Sequence, residues 1–288
     1  MPPLHRHQLV RLTRDGWQRL RDRPWDATAA ACLAHWASHE LPLVVTRQRP
    51  GAHAADGIAM GLPAPARWER RRLALVVPPR DIAGFDEFPR AEQVGALLAA
   101  PARADWQHLC TGLAARGILA RVHGSHGWQR LTGLDHLRPG SDIDLCLRVS
   151  HAHQADDAVA LVQRFPLAEP RLDGELVFPD GDAVAWREWL AWRAGRSRTV
   201  LVKRLDGCAL WRPAGRRVGP VGIEVDGMST PGRPKCEFRS AQHGGCLMST
   251  PGRPKCEFRS AQHGGCLMST HGRAEALVPE RAARRVVR

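Results

Sequence analysis

No run of apolar residues in this 288-residue chain approaches the roughly 18 to 20 that a membrane-spanning helix needs. The opening MPPLHRHQLVRL also lacks the unbroken apolar segment of a secretion signal, because His5, Arg6, His7 and Arg11 interrupt it. The expectation is a cytoplasmic protein without a membrane partner. A disulfide framework is missing as well, although the chain has eight cysteines. Cys32, Cys110, Cys146 and Cys208 stand singly in apolar or mixed sequence, the pattern of reduced, buried thiols. The other four, Cys236, Cys246, Cys256 and Cys266, recur with a repeat. What is present is ordinary globular material, 43% hydrophobic and 25% charged, enough for one or two domains with a sizeable core.

Acidic residues are the scarcer sign, 29 against 42 Lys and Arg, but the +13 surplus is uneven. Residues 228–288 hold 11 basic and 4 acidic residues, which leaves 31 against 25 for residues 1–227. About half of the excess therefore lies in one fifth of the length. Nucleic-acid binding by the body does not follow from the overall charge, whereas a moderately basic body suits phosphate ligands or an acidic protein partner. Within the tail, MSTPGRPKCEFRSAQHGGCL at 228–247 recurs unchanged at 248–267, and MSTHGR begins a third copy. Identity that complete points to tandem duplication of coding sequence rather than to structural selection. The region beyond Arg212 loses hydrophobic periodicity, so disorder is expected over 213–288.

Three parts follow. Residues 1–80 read as a small α/β domain: Asp26 or Thr28 starts a helix through ATAAACLAHWASH, PLVVTRQ is a strand, and a Gly/Pro loop leads into a second strand, Leu73–Val77. Pro79–Phe88 reads as a linker. Residues 89–212 supply two helices, a strand over Ile118–Val122, a Gly-Ser turn, a helix around Gly127–Leu131 and a strand over Ile143–Val149. A helix over Asp156–Phe165, a hairpin around Asp180-Gly181 and a helix over Trp186–Ala194 complete it. The fold class is α/β (α+β).

The chemistry concentrates in Arg121-Val-His-Gly-Ser-His-Gly-Trp128 and Gly140-Ser-Asp-Ile-Asp-Leu-Cys-Leu147. Asp142 and Asp144 are two apart on a predicted strand, which turns both carboxylates to one face and Ile143 and Leu145 to the other. Two carboxylates so close repel each other unless a cation lies between them, and Mg²⁺ takes oxygen ligands together with substrate phosphates. Gly124 and Ser125 lie where a strand gives way to a helix, and free N–H groups with the positive helix end favour a phosphate there. A phosphate cradle beside a metal-binding DxD is the equipment of phosphoryl or nucleotidyl transfer. No metal-ligand spacing links His123 or His126 to another donor.

The order GS followed by SDIDL resembles the signature of the DNA polymerase beta-type nucleotidyltransferase superfamily. The longer string RVHGSHGWQRLTGLDHLRPGSDIDL is similar to the malonate decarboxylase holo-acyl carrier protein synthases, also called phosphoribosyl-dephospho-CoA transferases. RLDGEL, AVAWREW and LVKRLDG after it, and PLVVTRQ and GLPAPARWERRRLAL before it, carry the likeness over about residues 4–212. That resemblance implies a nucleotidyltransferase-like mixed-sheet domain. It also implies transfer of phosphoribosyl-dephospho-CoA from 2'-(5''-triphosphoribosyl)-3'-dephospho-CoA to a serine of the malonate decarboxylase acyl carrier subunit, with release of pyrophosphate. Asp142 and Asp144 match the metal-binding pair and Gly124 and Ser125 the phosphate turn, and Ser141, heading the SDIDL string, is a further phosphate-binding candidate. The 16 residues between Ser125 and Asp142 exceed the usual superfamily gap, the excess falling in TGLDHLRP. The superfamily adds a third carboxylate from a later strand, here Asp173 or Glu175, with Asp173 preferred for its position before Gly174. Arg121 and Lys203 are the cations placed near the phosphates, Lys203 equally reading as a surface lysine. Trp128 and Trp186 are read as adenine stackers or as core, and Arg70, Arg71 and Arg72 as a guide for an acidic carrier or as a solvated strand flank.

Two other readings remain. A stand-alone nucleotidyltransferase would modify RNA or another protein. A DNA-binding reading rests on PGRPK in the tail, which resembles an AT-hook core; the sparse basic flanks and Glu237 or Glu257 in each copy weigh against nucleic acid as a partner.

Overall fold

Leu9, Val10 and Leu12 are buried and Arg11 is exposed in strand β1 (Leu9–Leu12), and Thr13 then stops the strand and caps helix α1 (Arg14–Arg21) by accepting from Gly16 N–H at 3.0 Å. The Asp26 carboxylate caps α2 (Ala27–Ser38) through the N–H groups of Thr28 and Ala29, both at 3.0 Å. Ala29, Cys32, Leu33 and Trp36 form its buried stripe. These elements belong to a computed structural model that describes residues 3–49, 57–166 and 170–212. The expectations of disorder and of an AT-hook in the repeat tail lie outside those residues.

Strands β2 (Leu43–Val45), β3 (Ile58–Pro63), β4 (Arg72–Val77) and β5 (Ile82–Asp86) complete an antiparallel sheet ordered β4-β3-β2-β1-β5. The stretch GIAMGLP, expected as a loop, is strand β3 because Ile58, Met60 and Leu62 alternate inward to the core. The expected linker is also structured. Pro79–Asp81 makes one tight turn and the chain then pairs along β1 as β5. The reason is tertiary: the buried Asp81 carboxylate pairs with Arg19, and its carbonyl accepts from Thr13 N–H at 2.8 Å. The first sheet therefore extends past residue 80, as far as Asp86.

The second half opens with α3 (Ala91–Val94), a single short turn, and α4 (Ala100–Ala114). It continues through β6 (Leu119–His123), α5 (Gly124–Thr132), β7 (Ile143–Arg148), α6 (Ala152–Gln163), β8 (Leu172–Val177), β9 (Ala183–Ala185), α7 (Trp186–Arg193), β10 (Val200–Lys203) and β11 (Cys208–Trp211). The six strands order as β11-β10-β9-β8-β7-β6. Only β7 and β8 run parallel, the pair that α6 connects, so the sheet is mixed. Ile143, Leu145 and Leu147 of β7 share one core cluster with residues of α4, α6 and α7. The other face of β7 carries Asp144, Cys146 and Arg148, all half-buried.

Backbone bonds tie the halves together. Val122 N–H donates to Pro89 O at 3.0 Å, Ala66 N–H to Asp135 O at 3.1 Å, and Gln48 N–H to Leu205 O at 2.8 Å. The four described cysteines are unpaired; Cys32 and Cys110 are buried, and burial pushes both thiols up to about 12, but Cys208 is exposed on the edge strand β11. No helix among the described residues is long and apolar enough to cross a membrane.

One glycine fixes the parallel β7–β8 pairing. Gly174 has φ +145°, and a Cβ there would lie 2.1 Å from Leu145 O on the neighbouring strand. Gly174→Ala is expected to lower stability by about 3 kcal/mol or more, since both the backbone strain and the overlap must be relieved by moving the ladder. Thermal unfolding of the variant reads this out, and a Tm equal to that of the parent would contradict the packing described.

Candidate active site

Strand β6 ends at His123, and its last pair across the sheet is His123 with Asp144. Helix α5 begins at the next residue, Gly124, with φ +62°. An alanine Cβ at 124 would stand 1.9 Å from Asp144 Oδ2. The strand-to-helix turn thus lies directly on a carboxylate, and only glycine leaves room for both. Gly127 brings the same helix close to β6, where a Cβ would be 2.3 Å from Val122 O.

Asp144 is in register with Asp173 on the parallel strand β8. Burial, then the charges of Asp173 and Asp142, push the Asp144 carboxyl up to about 6. Asp173 has one oxygen turned to its neighbour's backbone, accepting from Gly174 N–H at 2.9 Å. Asp142 precedes β7 by one residue; its carbonyl meets His126 Nδ1 at 3.0 Å and its carboxylate accepts from Arg171 Nη2 at 2.6 Å. Asp142, Asp144 and Asp173 thus neighbour one another at the ends of β7 and β8, with an exposed arginine on Asp142.

Glu175, the other candidate for a third carboxylate, is engaged elsewhere. Lys203 Nζ lies 2.7 Å from its Oε1, Arg6 Nη2 3.0 Å and His7 Nε2 3.5 Å from its Oε2. Burial alone would raise its carboxyl, but the hydrogen bonds from His7 and Lys203 and the Arg6 charge hold it well below the usual carboxylate range. His7 also stacks on His123, with ring centroids 4.1 Å apart. His123 Nε2 has no hydrogen-bond partner, and burial beside His7 pushes that imidazole down to about 3. The N-terminal segment thus reaches across to the carboxylate-bearing face of the second sheet, a contribution that nothing in the local pattern of LHRHQ announces.

Beside the carboxylates a cleft of about 500 Å³ opens between the halves. Gly124, Ser125, Arg138, Gly140 and Ser141 line it from one side, Pro63, Ala64, Arg70 and Arg72 from the other. The structure thus brings together Gly124, Ser125, Ser141, Asp142, Asp144 and Asp173. Arg121 does not line the cleft: it donates to Phe88 O, with Nε 3.8 Å from Glu87, and so holds the segment joining the halves. Lys203 does not line it either, being committed to Glu175. Trp128 is buried against Phe88, with a face towards the cleft, and Trp186 is buried in the core of the second sheet. Arg71 turns away to Asp26 and Glu69, at 2.6 and 2.9 Å.

Among the described residues no three His, Cys, Asp or Glu side chains already stand in a metal-holding cluster. The donor chemistry nevertheless fits a hard dication. Asp142, Asp144 and Asp173 offer only carboxylate oxygens, and Asp144 has no cation within ion-pair distance among the described residues to relieve its crowding.

Residues 90–214 match the C-terminal domain, and residues 5–88 the N-terminal domain, of the family described as phosphoribosyl-dephospho-CoA transferase MdcG. The chain is 37% identical over 212 residues to a phosphoribosyl-dephospho-CoA transferase of Bradyrhizobium diazoefficiens, covering 72% of this chain and 90% of that protein. It is 36% identical over 213 residues to the one of Xanthomonas campestris pv. campestris, covering 71% and 92%. To that of Pseudomonas aeruginosa it is 34% identical over 200 residues, covering 66% and 88%. No solved structure matches the chain.

The Glu175 cluster gives a pH-dependent expectation. A carboxyl depressed by folding, against 4.5 in the open chain, contributes stability above about pH 4.5 and loses it as the pH falls further. Glu175→Gln should therefore lower Tm at neutral pH, by the equivalent of about 3 kcal/mol for a partly buried pair that loses one partner. It should also flatten the fall in Tm between about pH 5 and pH 3. Unchanged Tm at pH 7 together with an unchanged acid slope would refute the role assigned to Arg6, His7 and Lys203.

Proposed function

The chain belongs to the phosphoribosyl-dephospho-CoA transferase family and is a transferase, and on that premise we propose that it attaches phosphoribosyl-dephospho-CoA to a serine of the malonate decarboxylase acyl carrier subunit. The donor in this reading is 2'-(5''-triphosphoribosyl)-3'-dephospho-CoA, and pyrophosphate is released. The observation that carries the proposal is the contact of Gly124 with Asp144: it joins a phosphate-accepting helix start to a group of three carboxylates with no side chain between them.

Each residue then has a task. The N–H groups at the start of α5 and the Ser125 hydroxyl hold phosphate oxygens, favoured by the positive helix end. Asp142, Asp144 and Asp173 would hold Mg²⁺, which when bound supplies charge neutralisation at the phosphates. Asp173 takes the part of the third carboxylate because Glu175 is already paired. In this reading the fixed turn at Gly124 presents the α-phosphorus to the incoming serine oxygen opposite the departing pyrophosphate. Serine attack forms one P–O bond as the bond to pyrophosphate breaks, so the carrier gains a phosphodiester.

Incubation of the protein with apo-carrier, Mg²⁺ and the triphosphoribosyl donor should add one phosphoribosyl-dephospho-CoA mass to one serine and release one pyrophosphate. Asp142→Ala, Asp144→Ala and Asp173→Asn should each reduce that transfer by several orders of magnitude with unchanged circular dichroism, and retention of more than about a tenth of the parent rate would remove that residue from the site. ATP should be a poor donor, since it lacks the remote groups whose binding energy holds the reacting phosphorus. Efficient adenylylation of RNA or protein from ATP would instead establish a stand-alone nucleotidyltransferase.

A further inference from the structure

The cleft between the halves extends beyond the helix start and Ser125 to residues that the proposed transfer has given no task. Its described lining includes three arginines, Arg70, Arg72 and Arg138, two hydroxyls, Ser125 and Ser141, and no carboxylate. Arginine forks and hydroxyls around a space closed at one end by a helix start are suited to a multiply charged phosphate group. His136, only 5% exposed, lines the same cleft, and its Nε2 has no hydrogen-bond partner in the protein. A buried ring nitrogen without a partner is costly unless a ligand supplies one. Gly124 lies at the border, lining the cleft and touching Asp144, so the cleft adjoins the carboxylates.

We propose that this cleft is the pyrophosphate subsite, in which Arg72 of the N-terminal half and Arg138 of the C-terminal half hold the two phosphates that leave the donor. The inference rests on the proposed transfer from a triphosphate, and deepens it by assigning the leaving group to residues of both halves. The arginines divide the work. Arg70 is a positioning residue: its Nη1 donates to His136 O at 2.8 Å and its Nη2 to Leu137 O at 3.2 Å, fixing the loop that carries Arg138. Arg138 N–H donates to Ser141 Oγ at 2.9 Å, closing the turn that lines the cleft on the same side as Ser125. Arg72 and Arg138 are exposed and free to close on a ligand, and neither makes a hydrogen bond or an ion pair through its guanidinium with another described residue. Burial and the neighbouring Arg70 charge push the His136 imidazole down to about 4, so at neutral pH the ring adds no charge to the cleft. The arrangement also explains why a catalytic sheet needs the N-terminal half at all. Without β4 the cleft has one wall.

The test is calorimetric titration of inorganic pyrophosphate into the full chain, without divalent metal, so that binding is read independently of turnover. The parent should bind pyrophosphate. Arg72→Ala and Arg138→Ala should each weaken binding by about tenfold, the size of one lost charge-assisted contact. Arg71→Ala, whose side chain faces Asp26 and Glu69, should bind as the parent does. Equal affinity in parent, Arg72→Ala and Arg138→Ala, or no binding by the parent, would overturn the subsite even if carrier transfer proceeds. A parent that binds pyrophosphate through Arg72 and Arg138 but adds no adduct to the carrier would leave the subsite standing and overturn the proposed acceptor reaction. In the transfer assay the same two variants should raise the donor KM and weaken inhibition by pyrophosphate, whereas Arg71→Ala should change neither.

Discussion

Four carboxylates on or beside one face of two parallel strands set the terms for everything around them. Asp142, Asp144, Asp173 and Glu175 repeat at the two-residue period of β7 and β8, and register places Asp144 against Asp173. Such a concentration of charge in a half-buried setting is unfavourable unless it is answered. The protein answers two of the four internally. Glu175 receives Arg6, His7 and Lys203, and Asp142 receives Arg171. Asp144 and Asp173 receive no cation among the described residues, and burial first, then the neighbouring Asp173 and Asp142 charges, raise the Asp144 carboxyl. The unanswered pair lies beside the start of α5, next to the cleft that Gly124 lines.

Answering Glu175 requires the N-terminal half. Arg6 and His7 come from the chain just before β1, and β1 is held in the middle of the first sheet between β2 and β5. The segment from Glu87 to Arg90 then runs beside β6, where Arg121 and Arg148 pair with Glu87. The two sheets are thus coupled through charges at the foot of the site and through Arg70 and Ala66 at the loop that carries Arg138. Stability and site geometry rest on the same contacts.

Much of the site was legible from spacing. Gly124-Ser125 after an apolar strand and Asp142-Ile-Asp144 within another are local patterns, and local sterics turn them into a helix start and a carboxylate face wherever the chain folds as α/β. Most helices and strands were legible for the same reason, as the Asp26 cap and the alternation through Ile143 illustrate. Strand β5 was hidden, since Pro79–Phe88 carries turn residues and mixed charge and becomes a strand only by pairing with β1. Strand β3 was read as a loop because Gly57, Gly61 and Pro63 outweighed its inward alternation. The final hairpin, β10 with β11, was equally muted, its turn being the short Arg204–Gly207.

The sequence by itself determined the membership of the family and the mixed α/β character, and it placed the Gly124-Ser125 helix start and the carboxylate face of β7, which depend on neighbours within a few residues. The tertiary structure decided which charges act on the site. Arg121 and Lys203 are close to it in sequence or strand order, yet they are consumed by Phe88, Glu87 and Glu175, while Arg72 and Arg138, 66 positions apart, face each other across one cleft. Electrostatic pairing follows distance in space, and long cationic side chains reach whichever carboxylate or carbonyl the fold brings near. No periodicity along the chain encodes that choice.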